Sequence, residues 1–274
     1  MPHAEYRNLS ETNPDWGRIA VLPWDSDIFG FAVADYQPGD GFATAADARD
    51  AQRALHQWST ENSVELVSCS VPALDRRWRA LLPAAGFYYV DSIFNFTITR
   101  PKDAKFRRPL PLPWLATAAD QAAVEAVAER SFHTGRYHAD PFFPAELANL
   151  RFRRWLANIF AELSDTTRVY LIGPRDAPTG FTAAVIYGIE ASLPFGATDP
   201  SVHGTTAGYA LFLGLVQDLG RLGVRRVVSK TSAVNTQMMN LAAYGGARFS
   251  QPHLVFHWHA PNAAHLLSHD NARP

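Results

Sequence analysis

The sequence predicts a mixed α/β protein made of two related halves, and three observations carry that prediction. Segments with apolar residues at helical spacing alternate with short β-branched and aromatic runs along the chain. RALLPAAGFYYVDSIFNFTITR and MNLAAYGGARFSQPHLVFHWH share one order, a helix, an Ala/Gly turn and aromatic-rich strands. Between them, PKDAKFRRPLPLP (residues 101–113) has the proline-rich, basic composition of a linker.

In chain order, RIAVLPWDSDIFGFAVADY alternates like a strand, breaks at WDSDIFG and resumes. ATAADARDAQRALHQWSTEN places Ala51, Leu55 and Trp58 on one helical face. VELVSCSVP is a buried strand, LDRRWRALLPAAG a helix stopping at Gly86, and FYYVDSIFNFTITR strand material. After the linker, Thr117 and Asp120 form an acidic capping box that starts the helix in TAADQAAVEAVAERSF. SFHTGRYHADPFFP is polar and irregular, and ELANLRFRRWLANIFAEL is a helix. RVYLIG and GFTAAVIYGIEASLPFGATD read as antiparallel strands joined by PRDAPT. GYALFLGLVQDLGRLG is a helix, RRVVSKTS a strand, NTQMMNLAAYGG a helix and ARFSQPHLVFHWH strand material. The expected domains are 1–100, a linker 101–113, a second domain 114–262 and a frayed tail 263–274.

Composition narrows the function classes. Apolar residues make up 47%, and 25 basic residues nearly balance 26 acidic ones. That is an ordinary globular chain without the basic excess of a nucleic-acid or membrane-surface binder. No apolar run approaches a membrane span, and the N-terminus is polar. The single cysteine, Cys69, excludes an internal disulfide and sits in a buried strand, so it reads as core. A cytoplasmic location is expected.

The stretch DPSVHGTTAGYALF (199–212) joins a strand end, a short Gly/Thr loop and a helix start. Free backbone N–H groups and the helix dipole make such a junction suited to a phosphate. It lacks the GxxxxGK[ST] of a Walker loop and the GxGxxG of a dinucleotide site, since Gly204 and Gly208 are spaced GxxxG. On the loop alone, a phosphate cradle and a plain tight turn both remain open.

The order of elements resembles the GNAT N-acetyltransferase core over residues 116–259. Ala197-Thr-Asp-Pro200 matches that superfamily's strand end, and His203-Gly-Thr-Thr-Ala-Gly208 occupies its loop register. Asn235, Leu241 and Gly246 fall in place with its later helix pattern. LPWDSDIFGFAVA, SFHTGRYHADP and RFRRWLAN are similar to the bacterial TDP-fucosamine acetyltransferase branch, which has a truncated GNAT-like half before its catalytic half. The resemblance implies a mixed, mostly antiparallel sheet flanked by helices, with acetyl-CoA or another acyl-CoA as cofactor. It implies that Ala197, Thr198, His203, Gly204, Thr205, Thr206, Ala207, Gly208 and Asn235 contact the coenzyme, and that the preceding strand splays to pair with pantetheine. His203 replaces the family's arginine, Thr206 its middle glycine, and Ala242 the tyrosine that protonates the leaving thiolate.

Replacement donors for that proton are Tyr244, Tyr209 and Ser232, with Thr231 beside it. Tyr244 lies about 200° around the helix from Ala242 and faces elsewhere. Glu190, Asp199 and a water chain are alternatives for the base. Arg136 and His138 are candidates for the acceptor, an arginine suiting a sugar-nucleotide phosphate or a carboxylate. No metal site is expected, because the His133/His138 and His257/His259 pairs lack a carboxylate at ligand spacing, and His257 and His259 read as a partly exposed pair. The expected function is acyl transfer to the amine of a small molecule, an amino sugar nucleotide first and a secondary metabolite or amino acid next. A GNAT-derived binding protein without catalysis is the alternative, and a carrier-protein acyl donor is a third reading. No nucleic-acid or membrane partner is expected, and a homodimer is admitted.

Overall fold

The computed structural model describes residues 4–101, 111–261 and 263. Its chain forms two compact units that interleave in sequence. Unit 1 takes Met1–Ile93, Thr134–Arg151 and Gln251–Pro274, and unit 2 takes Phe94–His133 and Phe152–Ser250.

In unit 1, β1 (Arg7–Asn8), β2 (Gly17–Val21), β3 (Ala32–Pro38) and β4 (Val64–Pro72) stand side by side. The C-terminal strand β13 (His253–His259) then lies between β4 and the first part of β5 (Tyr88–Thr99). Only β3 and β4 run parallel; their crossover is α2 (Ala45–Glu61). Thr44 and Asp47 close a full capping box on α2, which buries Ala48, Ala51, Leu55 and Ser59. Leu55 packs with Ile19, Val67, Leu82 of α3 (Trp78–Ala84) and Trp258 of β13 in one apolar cluster. A second cluster joins Ile28 and Phe29 of α1 (Pro23–Phe29) to Leu66, Tyr137 and Phe143. The break at WDSDIFG is thus α1, ended by Gly30 in the left-handed region. Cys69 is fully buried on β4, and burial pushes its thiol well above the ordinary range.

The division in space corrects the expected domain boundaries at 100 and 114. Segments 134–151 and 251–261, placed by the sequence in the second domain, belong to unit 1. The reason is pairing: β13 is hydrogen-bonded on both edges, to β4 and to β5, and its Phe256 and Trp258 fill the unit 1 core. Residues 102–110 of the expected linker and 264–274 of the expected tail lie outside the described residues.

Unit 1 also corrects the reading of HWH. His257 is fully buried, and a carboxylate that no sequence spacing disclosed sits against both histidines. Asp140 Oδ2 accepts from His257 Nδ1 at 2.7 Å and from His259 Nε2 at 2.9 Å. Its Oδ1 accepts from the Tyr88 hydroxyl at 2.7 Å and from the Phe142 amide at 2.9 Å. These three side chains are of metal-ligating type and closely grouped, so the sequence expectation of no such cluster does not hold. Here they bond to one another.

Arg136, expected at an acceptor, is held by Asp25 at 3.3 Å and by the Tyr137 hydroxyl at 3.1 Å. Arg151 Nε reaches the same buried carboxylate at 2.7 Å. His138 Nε2 bonds Asn149 Oδ1 at 2.9 Å. Both residues hold the 134–151 segment in unit 1, which accounts for their types without a ligand.

Acid is expected to weaken unit 1. Burial holds His257 below the ordinary histidine value, outweighing the Asp140 contact. Burial raises Asp140, but hydrogen bonds from His257 and His259 outweigh it and hold it well below the carboxylate range. Both folded values are depressed, so their stabilisation is complete above about pH 6.5 and is lost as pH falls. Asp35 runs the other way, since burial lifts it above the usual range. The urea midpoint is therefore expected to be lower at pH 5.5 than at pH 7.5, where His257 titrates ahead of the carboxylates. An equal or higher midpoint at pH 5.5 would contradict this balance.

Unit 2 orders its strands as β5, β11 (Arg226–Ser232), β9 (Glu190–Leu193), β8 (Gly180–Tyr187), β7 (Thr167–Ile172) and β6 (Trp114–Leu115). The Thr117–Asp120 capping box forms as expected, on a 3-10 turn leading into α4 (Gln121–Ser131). α4 and the end of α5 (Ala145–Ala161) cover β7 and β8 through Val124, Val127, Leu156 and Phe160. α6 (Ala207–Arg221) and α7 (Thr236–Tyr244) cover the opposite face through Leu211, Phe212, Leu215 and Ala242.

The repeated segments share their helix endings. After α3, the Phe87 amide donates to Leu82 O and Gly86 sits at φ +88. After α7, the Ala247 amide donates to Ala242 O and Gly246 sits at φ +80. Each is a Schellman stop that turns the chain into a strand, and each φ favours glycine.

Candidate functional site

The stretch GFTAAVIYGIEASLPFGATD, expected as antiparallel strand material, folds into three strands. β8 turns at Gly188 (φ +61) into β9, and β10 (Gly196–Thr198) resumes after Pro194 and Phe195. Both β9 and β10 return along β8. β11 runs parallel to β9 only from Arg226↔Glu190 to Ser229↔Leu193. Beyond that point β10 pairs with β8 alone, so Lys230–Ser232 of β11 and the free edge of β10 part. The β10 edge that faces away from β8 lines this gap, and a strand edge of this kind suits an extended polar chain.

The loop 199–206 stands at the β10 end of this gap. Asp199 fixes its start: Oδ1 accepts from the Ser201 amide and hydroxyl at 3.0 and 2.7 Å, and Oδ2 accepts from Arg130 Nε at 2.7 Å. Those bonds hold its carboxyl down at about 2. This ion pair makes Asp199 a poor base. Gly204 adopts φ +77, which explains its glycine, and His203 Nε2 lies 3.3 Å from Thr198 O. Thr206 sits at φ −80, ψ −1, so the threonine in place of a family glycine causes no strain.

α6 begins at this loop without a side-chain cap. Thr206 makes no cap hydrogen bond, the Ala207 amide bonds only Thr205 Oγ1, and Ala210 is the first residue to donate into the helix, to Thr206 O. Among the described residues the amides of Gly208 and Tyr209 have no hydrogen-bond partner, and the positive end of the dipole lies behind them. A Cβ at Gly208 would meet only Thr198 Cγ2, at 3.9 Å. The matching crossover helix of unit 1, α2, differs in the decisive respect. Its Thr44–Asp47 box engages the Thr44 and Asp47 amides and sets a carboxylate at the helix start. The start of α6 therefore favours a negative charge more than the start of α2 does.

The remaining residues group around α6 and α7. Asn235 Oδ1 accepts from the Met238 amide at 3.0 Å, so this side chain caps α7. Ala242 is fully buried against α6, while Tyr244 stands exposed. Tyr244 meets Tyr209 edge to face, with ring centroids 5.4 Å apart. The structure thus brings two of the three candidate donors together at the uncapped helix start. Ser232 lies on β11 past the parting, and Thr231 is buried. Glu190, a candidate base, is paired with Arg226 at 2.7 Å.

No family model and no curated protein matches the chain. Solved structures do resemble it. A GCN5-related N-acetyltransferase from Sphaerobacter thermophilus superposes with TM-score 0.60 at 14% identity, covering 89% of this chain and 77% of that one. A functionally unknown conserved protein from Staphylococcus epidermidis gives TM-score 0.64 at 12% identity, covering 94% and 96%. A tandem GNAT protein from the clavulanic acid biosynthesis pathway gives 0.56 at 15%, covering 89% and 79%. The chain has the fold of the GCN5-related N-acetyltransferases, a mostly antiparallel sheet flanked by helices in a two-half architecture.

Proposed function

We propose that unit 2 is an acyl-CoA-dependent N-acyltransferase acting on a small amine. The observation that carries this reading is the parting of β10 from β11 beside the uncapped start of α6. An acyl-CoA combines an extended amide-bearing arm with a pyrophosphate, and this chain offers an open strand edge next to an anion cradle. The amides of Gly208 and Tyr209, with the loop from His203 to Ala207, would hold the pyrophosphate. Ala197 and Thr198 of β10 would pair with the arm. The coenzyme supplies an activated acyl thioester: a C–N bond forms as a C–S bond breaks, the amine loses a proton and the thiol gains one. Within this chain, Tyr244 and Tyr209 would give that proton, with Ser232 as a third donor.

A second reading, a GNAT-derived binding protein without catalysis, is favoured by Ala242. Its fully buried Cβ leaves no acid at the family position. Thiol release separates the two. Calorimetry should show acetyl-CoA binding, and an amine panel should release free CoA. Tyr244→Phe and Tyr209→Phe should together lower kcat about 10- to 100-fold while leaving acetyl-CoA affinity within about twofold. An unchanged kcat would remove both tyrosines as donors. Binding without thiol release would establish the second reading, and no binding would end both.

A further inference from the structure

We infer that Asp140, His257 and His259 form a zinc site in unit 1. The inference is independent of the transferase reading, because all three residues belong to unit 1.

The backbone sets the ligands in place before any ion arrives. β13 follows β12 (Arg248–Phe249) in the chain and is bonded to β4 on one edge and to β5 on the other. Residues two apart on a strand point the same way, so His257 and His259 project side by side from a clamped backbone. Asp140 meets them from the 134–151 segment. The Tyr88 hydroxyl and the Phe142 amide engage its Oδ1, which leaves Oδ2 facing His257 Nδ1 at 2.7 Å and His259 Nε2 at 2.9 Å. The three ligand atoms all lie within 4.8 Å of one another. Two atoms bound to a tetrahedral zinc at about 2.0–2.1 Å stand about 3.3 Å apart, so the cluster need open by only about half an ångström.

Hydrogen bonding alone leaves this cluster incomplete. His257 Nε2, His259 Nδ1 and Ser68 Oγ are buried without a hydrogen-bond partner. A buried network with unpaired members is costly, and a bound ion is one reason for a protein to keep one. Ser68 stands opposite His257 in the register of β4 and β13 and shares its face. With Nδ1 on a metal, His257 carries its proton on Nε2, and Ser68 Oγ is the acceptor in register. The carboxylate already has its outer support in Tyr88 and the Phe142 amide. Two imidazole nitrogens and one carboxylate oxygen suit zinc, whereas magnesium and calcium prefer oxygen throughout. The approach lies past Phe142, whose exposed ring packs against Tyr88 and His259 at centroid distances of 5.4 and 6.2 Å. The burial of all three ligands makes the work of the ion structural. It pins the 134–151 segment to β13, with the fourth position left to water.

The test strips the full chain with EDTA, dialyses it and titrates zinc chloride by calorimetry. One equivalent should bind with a Kd below about 1 μM. Zinc in hundredfold excess over its Kd should raise the melting temperature by about 5–10 °C. Cobalt(II) in place of zinc should give the visible absorption of a four-coordinate site. His259→Phe keeps an aromatic ring beside Tyr88 and removes one ligand, so it should weaken zinc by about 100-fold or more. His133→Ala, at an exposed histidine, should bind zinc as wild type does. Failure of the stripped wild-type chain to take up one equivalent overturns the inference, whether or not the variant folds, and leaves a purely hydrogen-bonded cluster. Uptake only near millimolar zinc overturns it too, as does full affinity in a folded His259→Phe chain.

Discussion

Gly208→Trp should abolish acyl-CoA binding while leaving the fold intact. Gly208 occupies the first turn of α6 with an ordinary helical backbone, so its glycine is not required by conformation. Outside the glycine's chain neighbours and its own helix backbone, an added Cβ would meet one atom within 4 Å, Thr198 Cγ2 at 3.9 Å. An indole there enters solvent or the space a pyrophosphate would fill. Replacing a helical glycine should, if anything, raise stability by a few tenths of a kcal/mol. Losing two backbone hydrogen bonds to a charged group removes about 3 kcal/mol or more, roughly a 100-fold weaker complex. Calorimetry with acetyl-CoA reads the affinity, and a thermal melt reads the fold. Wild-type affinity in a folded variant would remove the loop from the coenzyme site. Gly208→Ala is the control, expected to bind within a few-fold of wild type.

The elements that local chemistry specifies were legible in the sequence. Thr117–Asp120 started its helix, Gly86 and Gly246 ended theirs, and HGTTAG stood between strand and helix, with only Gly204 needing its glycine. Features that depend on distant pairing were not. GFTAAVIYGIEASLPFGATD is mostly apolar, and nothing in its period marks where β11 stops accompanying it. The marker was Pro194, which interrupts the strand where the register ends. The seat of β13 between β4 and β5 joins residues about 160 to 190 apart in sequence, and no local pattern encodes it. Asp140 likewise meets His257 across 117 positions. The irregular stretch SFHTGRYHADPFFP stood out as too polar for core, yet that polarity serves buried pairing. Arg136 answers Asp25, and Asp140 answers HWH. The same feature that suggests a binding loop also builds a buried ionic network.

The Asp140 network should therefore dominate the stability of unit 1. Asp140 and His257 have no side-chain exposure and His259 has 3%. Truncating the carboxylate in Asp140→Ala leaves the donors of His257, His259 and Tyr88, and the Phe142 amide, without their acceptor. Each orphaned buried donor costs about 1–3 kcal/mol, less where water can enter. A total of about 3–5 kcal/mol is expected, a large part of the 5–15 kcal/mol typical of a folded domain. Asp140→Asn keeps the shape and one acceptor oxygen but turns an amide donor toward existing donors, so it should lie between wild type and alanine. The acid sensitivity that Asp140 itself contributes should vanish, whereas that of His257 should persist or grow, because burial lowers it and the opposing Asp140 contact is gone. Urea denaturation at pH 7.5 and 5.5 measures both effects. A shift below about 1 kcal/mol for Asp140→Ala would show that the histidines find other partners. In that case the cluster would be a contact of convenience, and the 134–144 segment would be held by the Asp25–Arg136–Arg151 group and by Phe143 packing instead.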